Sequence, residues 1–207
     1  MGRFFFLLFL PVLCLGAEFQ FWQIAYFNKE ITDKWSLVFQ TEERWHEVYS
    51  NLVRHQNDLG IAYTFNDHWN VHVYFRHKVK DTDEGWRTES ENLIDFNGKW
   101  KLGKLKIGDR NRFEVHYYGN HWVYRNKIVL AYPFYEYCGD WDFYVFNEFF
   151  FRNLQRYHRN RCGAGLQLPL LKKDNKIRFL YVAQQHREST GWLHTLNILW
   201  IESKVYF

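Results

Sequence analysis

The chain is poor in the residues on which several common architectures depend. Its 207 residues include one methionine, three prolines and three cysteines. So little cysteine excludes a disulfide-stapled scaffold, and no CxxC pair of the kind that holds structural zinc occurs. So little proline excludes a polyproline linker or a collagen-like segment. There is no Gly-rich phosphate loop and no dinucleotide fingerprint. Helix start and stop signals are almost missing. After residue 17 no stretch is long and apolar enough to cross a bilayer as a helix, which takes about 20 residues. The net charge of +4 is too small to point to a nucleic-acid partner.

What is present is aromatic. Phe, Tyr and Trp make 21% of the chain, yet the mean hydropathy is polar. Apolar residues are therefore dispersed among polar ones. The exception is the start, MGRFFFLLFLPVLCLGA, with one cation at Arg3, an apolar run from Phe4 to Leu15, and small residues Gly16 and Ala17. That is the plan of a secretory signal peptide over residues 1–17, its core too short to span a membrane. Leu13 stands where a lipoprotein signal needs a small residue before Cys14. Of the remaining cysteines, Cys138 and Cys162 fall near opposite ends of one intervening strand, which argues against a disulfide.

From there on, side chains alternate with a period of two, the signature of strands. In HWNVHVYFRHKVK (68–80), Trp69, Val71, Val73 and Phe75 share one face while His72, Tyr74, Arg76, Lys78 and Lys80 share the other. WSLVFQTEERWH (35–46), KLKIGDRNRFEVHYY (104–118) and the runs at 122–134 and 159–170 repeat the scheme. Turn signals separate the runs at 32–34, 65–67, 80–85, 102–103, 118–120, 138–140, 172–175 and 188–191. The reading is one all-β domain over 18–207: an antiparallel up-and-down transmembrane β-barrel. Its strands are about 11 to 16 residues long, against the usual five or six. Counting from residue 35 to Phe207 gives a barrel proper of about ten strands, with 19–31 as an extra N-terminal segment, because both termini are expected on one side and the count even. Twelve strands is the alternative count.

A soluble sandwich alternates too. Three features favour the barrel. The strands are long enough to cross a bilayer at a tilt, which takes about 9 to 11 residues. Opposite charges are interleaved on the polar face, as suits an enclosed lumen. Tryptophans 22, 35, 45, 69, 86, 100, 122 and 192 fall near strand ends, as interfacial girdles do. The chain ends LWIESKVYF, an alternating strand with a terminal aromatic. This ending is similar to the signal read by the outer-membrane barrel assembly machinery, an expected partner during biogenesis.

Five stretches together resemble a family of small bacterial outer-membrane β-barrels known only as a domain of unknown function. They are LVFQTEERW (37–45), LGIAYTFNDHWNVHVYF (59–75), DRNRFEVHYY (109–118), FNEFFFRN (146–153) and NRCGAGLQLPL (160–170). The family's Arg-rich element between the fourth and fifth strands is thin here, with Arg87 its main representative. The resemblance implies a barrel in the bacterial outer membrane and no assigned activity.

The polar face is the candidate site. Glu42, Arg44, Arg76, Glu89, Glu91, Arg110, Arg112, Glu114, Arg125, Glu148, Arg152 and Arg161 are read as a charge network filling the lumen, since charges removed from water need partners. The expected role is a structural, plugged barrel or a narrow pore for anions. Lys78 and Lys80 would meet lipopolysaccharide at the external end. The competing class is an outer-membrane lipid-modifying enzyme using His186 and Ser189, for which no orienting third group is evident. His68 and His72 stand two pleats apart, too far for one metal ion without another strand. No catalytic residue, metal ligand or cofactor is assigned.

Overall fold

The computed structural model describes residues 18–46, 51–133, 141–153, 156–170, 172–188 and 191–207. Residues 1–17, Cys138 and Ser189 lie outside these. The described residues form eleven strands: β1 (Glu18–Glu30), β2 (Trp35–His46), β3 (Asn51–Thr64), β4 (Trp69–Lys80), β5 (Arg87–Leu102), β6 (Leu105–His116), β7 (His121–Pro133), β8 (Asp142–Arg152), β9 (Arg156–Leu170), β10 (Lys172–Glu188) and β11 (Gly191–Tyr206). Each neighbour in sequence is a neighbour in space, and β1 pairs with β11 to close a barrel. Following paired residues once around the wall from Arg87 leads back to β5 at Lys101, so the strands are strongly inclined to the barrel axis.

The expected strand count of ten or twelve is corrected to eleven. Residues 18–30 are a wall strand, held antiparallel to β2 and parallel to β11. The physical reason is edge satisfaction. A barrel begun at β2 would leave β1 outside with unpaired backbone groups, whereas insertion between β2 and β11 pairs both its sides. An odd number of up-and-down strands leaves the first and last pointing the same way, so this one seam is parallel. It also places Glu18 and Phe207 at opposite rims, not on one side as expected. We call these the N rim and the C rim.

Local chemistry sets the hairpins. At the C rim, Thr32 Oγ1 accepts from the Trp35 amide at 3.1 Å, and Asn66 Oδ1 accepts from the His68 and Trp69 amides at 2.9 and 3.0 Å. Each mimics a turn of backbone. Gly103 and Gly119 take positive φ of 58° and 79°. That conformation costs glycine little.

Much of the wall is apolar outside. Leu59 is 62% exposed, Phe75 50% and Val115 50%. At the C rim the outer aromatics touch, with Trp35 and Tyr63 at 4.7 Å, Trp69 and Trp100 at 5.1 Å, and Phe27 at 6.1 Å from Phe39. Trp22, read with the girdle, is instead only 1% exposed inside the barrel. It alternates with Ile24 and Tyr26 on the inner face of β1, so strand parity overrides its position near a strand end.

Two apolar clusters occupy part of the interior. The larger joins Trp22, Ile24, Tyr144, Phe146, Leu180, Val182, Ile198 and Trp200 from β1, β8, β10 and β11. β9 makes room for it. A Cβ on Gly163 would collide with the Phe146 ring, and one on Gly165 with the β10 backbone. The smaller cluster holds Tyr26, Val38, Ala62, Tyr74 and Leu93.

Candidate functional site

The remaining interior is ionic, and alternation explains how it is assembled. Glu89, Glu91, Leu93 and Asp95 follow one another at every second position of β5. Arg76 and Lys78 do the same on β4, as do Arg110, Arg112, Glu114 and His116 on β6. Because β4, β5 and β6 pair in register, these faces look into the same space.

Arg76 is the hub. It donates to both oxygens of Asp58 at 2.8 Å, to Glu91 at 3.2 Å and to Glu114 at 3.5 Å. Arg112 makes a two-pronged bond to Asp95 at 2.5 and 2.7 Å. Arg125 bridges Glu114 at 2.6 Å and Glu148 at 2.7 Å. Glu148, fully buried, also receives Arg110 at 2.6 Å and Arg161 at 3.6 Å. Glu89 gathers Lys78, Lys80 and Arg87 at 2.9, 2.7 and 2.6 Å. Lys78 also contacts Glu91. Glu42 pairs with Arg44 at 2.5 Å. A planar guanidinium meeting two carboxylate oxygens satisfies both partners at once, which makes so many buried charges tolerable.

Of the twelve residues read as the network, eleven make ion pairs here. Arg152 does not. It is exposed at the N rim, and among the described residues no carboxylate lies within ion-pair distance of it. Lys78 and Lys80 turn inward to Glu89, so neither carries a free charge at the rim. The sequence reading missed Asp58 and Asp95, the partners of Arg76 and Arg112, although parity with Arg54 and with Glu91 places both on inner faces. Two smaller ionic groups lie near the C rim, and their carboxylates, Glu202 and Asp142, were missed as well. Arg178 and Lys204 meet Glu202 at 2.8 and 3.4 Å, and Lys106 meets Asp142 at 2.7 Å.

His186 lines the interior, with its Nε2 at 3.0 Å from the Gln184 amide nitrogen. It therefore does not face outward, and Ser189 lies outside the described residues. The donor atoms of Glu91, Glu114 and His116 lie within 4.8 Å of one another, a spacing a metal ion accepts. Arg76, Lys78 and Arg125 already hold those two carboxylates, so a divalent cation would have to displace fixed positive charges.

The network does not fill the lumen. A cavity of about 670 Å³ remains beside it. Its wall carries fourteen Lys and Arg side chains against five Asp and Glu.

A family model described as "Protein of unknown function (DUF2490)" matches residues 19–195. The chain belongs to that family. The match begins at β1, so the parallel closing strand is part of the DUF2490 domain, and it takes in the Arg76, Arg112, Arg125 and Glu148 pairs. Searches of curated proteins and of solved structures returned no match.

Proposed function

We propose that this DUF2490 chain is a bacterial outer-membrane β-barrel, exported by residues 1–17, whose interior is closed by packed apolar and ionic side chains. One observation carries the reading: the wall is inverted relative to a soluble protein. Large apolar side chains such as Leu59, Phe75 and Val115 face outward on most of the strands, while Arg76, Asp58, Glu91 and Glu148 are buried inside. A soluble protein would expose a patch that broad only as a binding surface. In a bilayer it meets lipid, and the closed strand ladder leaves no backbone edge unsatisfied there.

In this reading the C rim, with its aromatic girdle, is periplasmic, and β11 is the strand presented to the assembly machinery. The N rim, where Arg152 is exposed, faces lipopolysaccharide. The first test is membrane fractionation with gel mobility before and after heating. Recovery in the outer membrane with a heat-dependent shift is the expected result. Recovery as a soluble periplasmic protein without a shift would sink the proposal. Planar-bilayer recording then separates the two interiors: a plugged barrel gives no steady conductance, and steady anion-selective steps would instead make it a narrow pore. An epitope tag inserted before Glu18 is expected to bind antibody on intact cells, since odd-strand closure puts that end on the N rim.

A further inference from the structure

Four guanidiniums gather on the N-rim side of the cavity. Arg44 lies near the end of β2 and Arg54 near the start of β3, and the two residues are direct cross-strand partners. Arg159 and Arg161 alternate on the inner face of β9, reaching the same space from across the lumen. Like charges directly opposite each other in a sheet destabilise it unless something intervenes. Here the carboxylates run short. Arg44 has Glu42. Arg161 shares Glu148 with Arg110 and Arg125. Among the described residues no carboxylate lies within ion-pair distance of Arg54 or Arg159, and the buried Nε of each has no acceptor.

Aromatic faces hold the guanidiniums in place. Arg44 lies 3.6 Å and Arg161 4.8 Å from the Trp22 ring, and Arg159 and Arg161 lie 5.3 and 4.7 Å from Phe150. Stacking fixes the guanidinium plane while leaving its edge N–H groups free to donate. The imbalance extends along the cavity. Asp58, Glu89, Asp95 and Glu148 stand behind the lining; adding these four to the five lining carboxylates still leaves nine against fourteen cations.

We propose that this cluster is a binding site for an oxyanion of the phosphate or sulfate type, entered from the N rim. A tetrahedral oxyanion offers several acceptors to Arg54 and Arg159 at once and neutralises the repulsion between Arg44 and Arg54. Guanidinium forks match its geometry where chloride, a single point, does not. The phosphoryl group belongs either to a free solute or to a lipid headgroup reaching in from the rim. The site needs only the barrel interior, wherever the barrel resides.

The test is calorimetric titration of the full chain, folded in non-ionic detergent, with inorganic phosphate, with pyrophosphate, and with short-chain phosphatidic acid in the same micelles, all against chloride at equal ionic strength. Saturable binding is expected, weakened at least roughly tenfold by Arg54→Gln and by Arg159→Gln, since each removes charge-assisted donors. It is expected unchanged in Lys101→Gln, an exposed C-rim control. Binding of free phosphate or pyrophosphate identifies a solute site; binding of phosphatidic acid alone, still dependent on Arg54 and Arg159, identifies a headgroup site. Neither glutamine variant orphans a carboxylate, so both should fold and keep the heat-dependent mobility shift. Should either fail to fold, a phosphate-specific rise in the Tm of the unaltered chain carries the test. Absence of saturable binding and of that rise, or binding undiminished in the Arg54→Gln/Arg159→Gln chain, overturns the site.

Discussion

Inside one continuous wall, two regions are built on opposite physics. Trp22, Phe146, Leu180, Val182, Ile198 and Trp200, from β1, β8, β10 and β11, pack as an apolar cluster. Across the lumen, β3 to β6 present Asp58, Arg76, Glu91, Asp95, Arg112 and Glu114 as a web of ion pairs. The apolar side is stabilised by area and shape, which are non-directional and degrade gradually as atoms are removed. The ionic side rests on completeness. Each buried charge is tolerable only while its partners remain, so losing one member exposes the desolvation cost of the rest. One side therefore tolerates approximate substitution and the other does not.

The largest expected effect comes from the ionic hub. Arg76→Ala leaves Asp58 without its two-pronged partner and weakens the hold on Glu91 and Glu114. It should cost about 3–5 kcal/mol in urea unfolding of the detergent-folded chain, the range for breaking a buried pair. A matched apolar deletion, Ile198→Ala, should cost about 2–5 kcal/mol through lost transfer energy and a cavity. The two sites separate more clearly when both members of a pair are removed. Asp95→Leu with Arg112→Met should recover most of the loss caused by Arg112→Met alone, because the pair leaves together. If the double variant is no more stable than the single one, the view that completeness governs this side is wrong.

Gly163→Val probes the seam between the strands and the apolar cluster. Forcing Phe146 to move should cost about 1–3 kcal/mol, the usual penalty of overpacking. The smallest effect is at the margin of the ionic side. Lys80→Ala removes a partly exposed pair from Glu89, which keeps Lys78 and Arg87, so less than about 1 kcal/mol is expected. A large loss there would mean the network is tighter at the rim than its geometry implies.

Much of this architecture is legible in the chain. A period of two over runs such as 68–80 specifies strands, their length, and which side chains share a face. It placed Arg76 opposite Phe75 and made Glu89 and Glu91 one inner stripe. Turn chemistry at Thr32 and Asn66 located hairpins. What was not legible is who meets whom. Asp58 lies on β3 and Arg76 on β4, eighteen residues apart, and only hairpin register brings them opposite. Trp22 shows the same limit from the other side: a tryptophan near a strand end suggests a girdle, and only the parity of β1 within the closed wall turns it inward beneath Arg44 and Arg161.

By itself, the sequence determined the strands, the two-faced wall and the hairpin order, because each depends on contacts within a few residues. The tertiary structure alone decided that eleven strands close rather than ten, that the closing seam is parallel, and which cations keep no carboxylate. Those outcomes depend on register and inclination summed around the whole barrel, and no local stretch encodes that sum.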